Sequence, residues 1–135
     1  MAIKAAIRNL IVNDATLSAL VGTRVSPVIA KTGDILPRIA YLRTNTDQEY
    51  HLTGSAGLRF DTFNIVINSN SSDECDTISE QLKSVFEAVI NATHDTTYIH
   101  RFYLESSNEG QYLSEGREKP IYEIIHNWRV SFQNG

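Results

Sequence analysis

Ile3, Ala6, Ile7, Leu10 and Ile11 recur at three-and-four spacing, a pattern that predicts an amphipathic opening helix with one apolar stripe. Asn13 and Asp14 interrupt it, and either side chain suits the cap of a second, short helix that turns Leu17, Leu20 and Val21 inward. Gly22 ends that helix, because glycine tolerates the backbone that closes a last turn. The period then changes from helical to alternating. "RVSPVI" predicts a short strand, demoted to an edge or an irregular one by Pro27. After Pro37, "PRIAYLRTNTDQEYH" predicts a strand buried on both faces at its start and exposed further on. "TGSAG" is a turn by composition, and "LRFDTFNIVINS" returns as a strand with Phe63, Ile65 and Ile67 on one face. Phe60 falls out of phase with them, which predicts a bulge or a strand twist near Asp61 and Thr62.

The clearest helix follows. Ser71 or Ser72 caps it, Asp73, Glu74 and Asp76 suit the positive end of its dipole, and Cys75, Ile78, Leu82, Val85, Phe86 and Val89 form its stripe. Asn91 to Thr97 reads as a polar connection. "YIHRFYLES" and "IYEIIHNWRVSFQ" read as two more strands, the last alternating through Tyr122, Ile124, His126, Trp128, Val130 and Phe132. Between them, residues 106–120 form a glycine-bearing acidic segment, a loop or projecting arm. The expectation is an α+β fold: a mainly antiparallel sheet of four to five strands, with an amino-terminal helix and a central amphipathic helix packed on it.

Length and charge narrow the class. A chain of 135 residues suits one domain spanning 1–135, and its 41% hydrophobic and 21% charged content is that of a globular protein. The apolar opening is broken by Lys4, Arg8 and Asn9, so it reads as neither a signal peptide nor a membrane span, and the expected place of synthesis is the cytoplasm. Cys75 is the only cysteine, so an internal disulfide and a multi-cysteine metal site are excluded. Residues 1 to 43 hold six basic and two acidic side chains, a local +4 within a net −4, which leaves −8 on the remainder. That polarity can orient copies against one another, and an acidic chain of this kind is not expected to grip nucleic-acid phosphates.

Candidate chemistry is sparse. "GTRVSP" lacks the spacing of a phosphate loop, and "GSAG" lacks the pattern of a nucleophile elbow. His94, His100 and Asp95 are the least poor candidates for a small enzyme, but they match no zinc motif. His100 and His126 fall in the apolar phase of strands, where a hydrogen-bonded structural histidine is the commoner outcome. No cofactor, metal or catalytic residue is assigned, and the chain reads as a non-enzyme.

One ordered set of features spans roughly residues 1 to 90. It runs from the amphipathic opening helix through "LSALVGTRVSP", "ILPRIAYL", a polar hairpin with "LTGSAG" and "FDTFNIVINS" to the helix "DECDTISEQLKSVF". This resembles the tail-terminator, or tail-completion, proteins of long-tailed bacteriophages. The resemblance implies a structural virion protein, made in the host bacterial cytoplasm and placed in the tail or neck. There a hexameric ring caps the tail tube, meets the tube protein on one side and the head-completion or connector protein on the other, and lets DNA pass through its lumen without specific binding. It implies no membrane. Another neck or head-tail adaptor protein is the alternative. The family carries no interface motif, so the contact residues follow from position alone. They are Arg24 at the glycine corner, Tyr50, His51, Leu52 and Leu58 on the first hairpin, and Glu109, Tyr112, Leu113 and Arg117 on the acidic segment 106–119.

Overall fold

A computed structural model describes residues 2–22, 24–27, 36–51, 54–94, 97–112 and 120–134. Three helices, α1 (Ala2–Val12), α2 (Ala15–Val21) and α3 (Ser72–Glu87), lie with six strands: β1 (Val25–Ser26), β2 (Arg38–His51), β3 (Gly54–Ser69), β4 (Ile90–His94), β5 (Thr97–Tyr112) and β6 (Ile121–Asn134). The strands form one curled sheet in the order β1-β2-β3-β6-β5-β4.

The helices start where the sequence predicts. Asp14 caps α2 by accepting from the backbone N–H of Leu17 at 3.0 Å, and Ser71 caps α3 by accepting from Glu74. Behind that cap, Ser69 Oγ donates to the Glu74 carboxylate, so the acidic first turn is tied to the end of β3. Gly22 closes α2 at φ 58° and ψ −124°, a backbone open to glycine and strained for other residues.

All three helices cover one sheet face. Ile3, Ile7 and Ile11 of α1, Leu17 and Val21 of α2, and Ile78, Leu82 and Phe86 of α3 meet Ile65, Ile67, Ile99, Trp128 and Phe132 in one core. Phe86 stacks on Phe102 with ring centroids 4.4 Å apart and meets Trp128 edge-on at 5.1 Å. Each such ring removed from water stabilises by about 2–3 kcal/mol.

Four expectations are corrected. The sheet has six strands and is mixed, because β1 pairs parallel to β2 through Val25 and Ile39. A polar connection was expected over Asn91–Thr97; in its place β4 pairs with β5, an edge strand with mostly exposed side chains and hence no apolar alternation to betray it. Positive φ at Asn91 (48°) and the bulge at His100 between Ile99 and Arg101 accommodate its register. The irregularity expected near Asp61 and Thr62 lies on the partner strand: β3 pairs with β6 without a shift from Leu58 to Ser69, while β2 shifts register between Arg43 and Asn45, opposite Phe63 and Thr62, and again between Gln48 and Tyr50. Asp61, not Phe60, takes the inward position, while Phe60 lies on the other face beneath the Arg129 guanidinium at 4.5 Å. Finally, residues 106–112 are strand, paired with β6 from Ser106 opposite Asn127 to Tyr112 opposite Ile121.

Candidate interaction surfaces

Register places the two expected contact arms at opposite ends of the sheet. The β2–β3 hairpin runs past the last β3–β6 pair, Leu58 with Gln133, to the pairs Tyr50 with Ser55 and His51 with Gly54. The β5–β6 arm points the other way and ends at Tyr112 opposite Ile121. Leu52, Leu113 and Arg117 lie outside the described residues, as does Asp95. Both arms leave strand edges open among the described residues. β1 covers only Ile39 and Ala40 of β2, and β4 covers β5 only as far as Arg101. Open edges of this length are templates for strand addition.

Arg24 turns inward to its own fold. Its Nε donates to the Pro37 carbonyl at 2.8 Å and its Nη2 to the Leu20 carbonyl at 3.1 Å, tying the orphan end of α2 to the start of β2. The Arg24 carbonyl accepts from Ile39, which completes the corner. Tyr112 is 39% exposed, and its hydroxyl accepts from Arg38 Nη2 at 3.2 Å. Arg38 Nε also donates to Asn68, and Asn68 donates to Glu123 at 3.0 Å, so a polar ladder crosses four strands on the face without helices.

Glu109 sits on the helix side of β5. With Asp76, Ser72, Gln111 and Tyr122 it lines a cleft of about 280 Å³ beside the first turns of α3. Cys75 opens onto this cleft but is buried, and its Sγ faces the carbonyls of Ile67 and Tyr122. Burial, then the nearby Asp76 and Glu109 carboxylates, push its thiol up to about 12. Such a thiol is inert.

A different surface, which sequence position did not suggest, lies on β4, β5 and β6. Among the described residues the exposed large hydrophobics are Ile90 (49%), Tyr103 (47%) and Tyr112 (39%). Ile90 is the cross-strand partner of Arg101, and Tyr103 is the partner of Arg129. Neither Arg101 nor Arg129 has an ion pair among the described residues. Two exposed apolar side chains and two arginines thus share neighbouring positions, the composition of a protein contact centre. The signal was in the sequence, as Arg and Tyr alternating along "HRFYLE", but it was readable only once the bulge at His100 fixed which side each residue takes.

One serine meets a histidine. Ser79 Oγ lies 2.7 Å from His126 Nε2, both residues being buried. Trp128 Nε1 donates to His126 Nδ1 at 3.0 Å. An indole nitrogen only donates, so Nδ1 accepts and the ring proton sits on Nε2, facing the serine. A base that activates serine needs the opposite arrangement. His100 Nδ1 lies 3.4 Å from Asn91 Oδ1, His94 is half-buried on β4, and no cluster of three metal-ligating side chains occurs among the described residues. Among the described residues no helix is long and apolar enough to cross a membrane.

No protein-family model matches the chain, and no curated protein matches it. A solved structure does: a chain of "Virion of native gene transfer agent (GTA) particle" superposes with a TM-score of 0.68 over 96% of this chain and 95% of its own, at 14% sequence identity. The chain therefore shares that virion chain's fold along almost its whole length.

Proposed function

We propose that this chain is a structural protein of a phage-like virion, acting as a hexameric ring that caps the tail tube and joins it to the head. The observation that carries the reading is the end-to-end match of fold, 96% of one chain on 95% of the other, to a chain of a gene transfer agent virion. The resemblance of residues 1 to 90 to tail terminators supports the finer role. So do the two open strand edges on opposite sides of one sheet, because a contact between unlike surfaces of identical copies closes into a ring when the rotation between them divides a full circle. The ring meets the tube protein on one face and the connector on the other. Its acidic balance, −4 overall, keeps DNA in the lumen from adhering.

The test is to mix purified protein with tail tubes assembled from the phage's own tube protein and to image them by negative stain. One ring at a tube end, with tube growth arrested, is the expected result. Binding to head portals with bare tube ends identifies an adaptor instead, and binding to neither removes the virion role.

A further inference from the structure

We propose that the exposed patch of Ile90, Arg101, Tyr103 and Arg129 on one copy receives the acidic cleft of Asp76 and Glu109 on the next copy. The inference rests on the ring reading above and names its contact.

Three observations lead to it. The patch joins the two features that make a contact centre, exposed apolar area and arginine: Ile90 and Tyr103 are each about half exposed, and no acidic partner holds Arg101 or Arg129 among the described residues. Arginine presents a planar fork that pairs with carboxylates two bonds at a time. The cleft supplies the complement, for its lining includes Asp76 and Glu109, and no lysine or arginine among the described residues.

The two surfaces also lie apart in a way that prevents a copy from satisfying itself. Glu109 is opposite Ile124, near the start of β6, whereas Arg101 is opposite Ser131, near its end. Within one chain the cleft and the patch are thus separated by about seven residues of strand, roughly 23 Å at 3.3 Å per residue. A contact between unlike ends uses one patch and one cleft from each copy and leaves none over once the ring closes. A two-fold axis through the patch itself would set arginine facing arginine, which opposes that pairing.

Charge reversal with mixing tests this. One variant carries Asp76→Arg and Glu109→Arg; the other carries Arg101→Glu and Arg129→Glu. Each alone sets like charges at every contact, whereas an equal mixture restores unlike charges at every contact in an alternating ring. Particle mass is measured by light scattering, free and with tail tubes, beside the unaltered chain. The expected result is association weakened by about tenfold or more in each variant alone and regained in the mixture. Recovery also shows that both variants fold; should the Arg101, Arg129 pair lose its helical circular dichroism, Arg101→Glu alone replaces it. If both variants assemble as the unaltered chain does, or if the mixture fails to recover, the contact is wrong while the ring stands. If the unaltered chain stays a single particle both free and on tubes, the ring reading itself falls.

Discussion

Ser79 Oγ and His126 Nε2 lie 2.7 Å apart, and the proton between them belongs to the histidine, because Trp128 occupies the other ring nitrogen. The pair ties α3 to β6 through the middle of the core. Protonating the ring would put a second hydrogen on Nδ1, against the indole N–H, in a site with no exposure. Burial first, and the Lys83 ammonium second, lower its pKa from 6.5 to about 4.

The stability of the fold therefore depends on pH in a definite direction. Between pH 6.5 and about 4 the unfolded chain binds a proton at His126 that the folded chain refuses, so the contribution is complete above pH 6.5 and is lost as pH falls toward 4. The loss over that range is on the order of 3 kcal/mol. Imidazole NMR signals of His126 should stay flat through pH 6.5 and move only near pH 4. A midpoint near 6.5 in the folded protein would show that the ring is not held neutral.

Cys75 should be silent toward thiol reagents until the protein unfolds. With its pKa pushed up to about 12, the thiolate fraction at pH 8.5 is about one in three thousand. Ellman's reagent is expected to release its chromophore only as fast as urea opens the fold. Rapid reaction in buffer would mean that the cleft beside α3 exposes the sulfur.

Helices and the central strands were legible because their signals are local. Asp14, Ser71 and Gly22 mark ends by their own side-chain and backbone chemistry, and β6 alternates cleanly from Tyr122 to Phe132. The edge strands were not legible, since β4 has little to bury and the length of β5 beyond Leu104 depends on its pairing with β6. Asp61 misled for a related reason. A carboxylate at an inward position looks like a break in phase until Arg43 and Arg59, distant in sequence or on the same strand, are seen beside it. The basic patch was hidden likewise, because Ile90, Arg101 and Arg129 meet only across strands.

Asp61 gives the third prediction. Its side chain has no exposure, Arg43 Nη1 lies 3.2 Å away and Arg59 Nη2 3.9 Å, and Arg59 spreads over the Phe132 ring at 5.5 Å. Asp61→Ala removes the one anion between two cations that keep partial access to water, so the cost is about 2 kcal/mol, less than for a pair sealed on both sides. Asp61→Ala combined with Arg43→Met should recover part of it, as the cation left unpaired is then gone. Urea midpoints of both, beside Arg43→Met alone, measure this; a double loss equal to the sum of the two single losses would show that Arg43 and Asp61 do not act together.

The corner at Gly22 separates backbone from space. A Cβ built there meets only Arg24 Nη1, at 3.8 Å, an ordinary contact, so alanine fits the volume. The backbone refuses it: φ 58° with ψ −124° is costly for an L residue, by about 1–3 kcal/mol. The same angles mirrored are ordinary extended backbone, so a D-alanine introduced by chemical ligation sits there without strain. It also narrows the unfolded chain and should leave stability unchanged or raised by about 0.4–1 kcal/mol. Gly22→Ala is therefore expected to lower the urea midpoint while D-alanine holds it. Equal losses from both would show that the φ 58°, ψ −124° backbone at Gly22 is not the source of the cost.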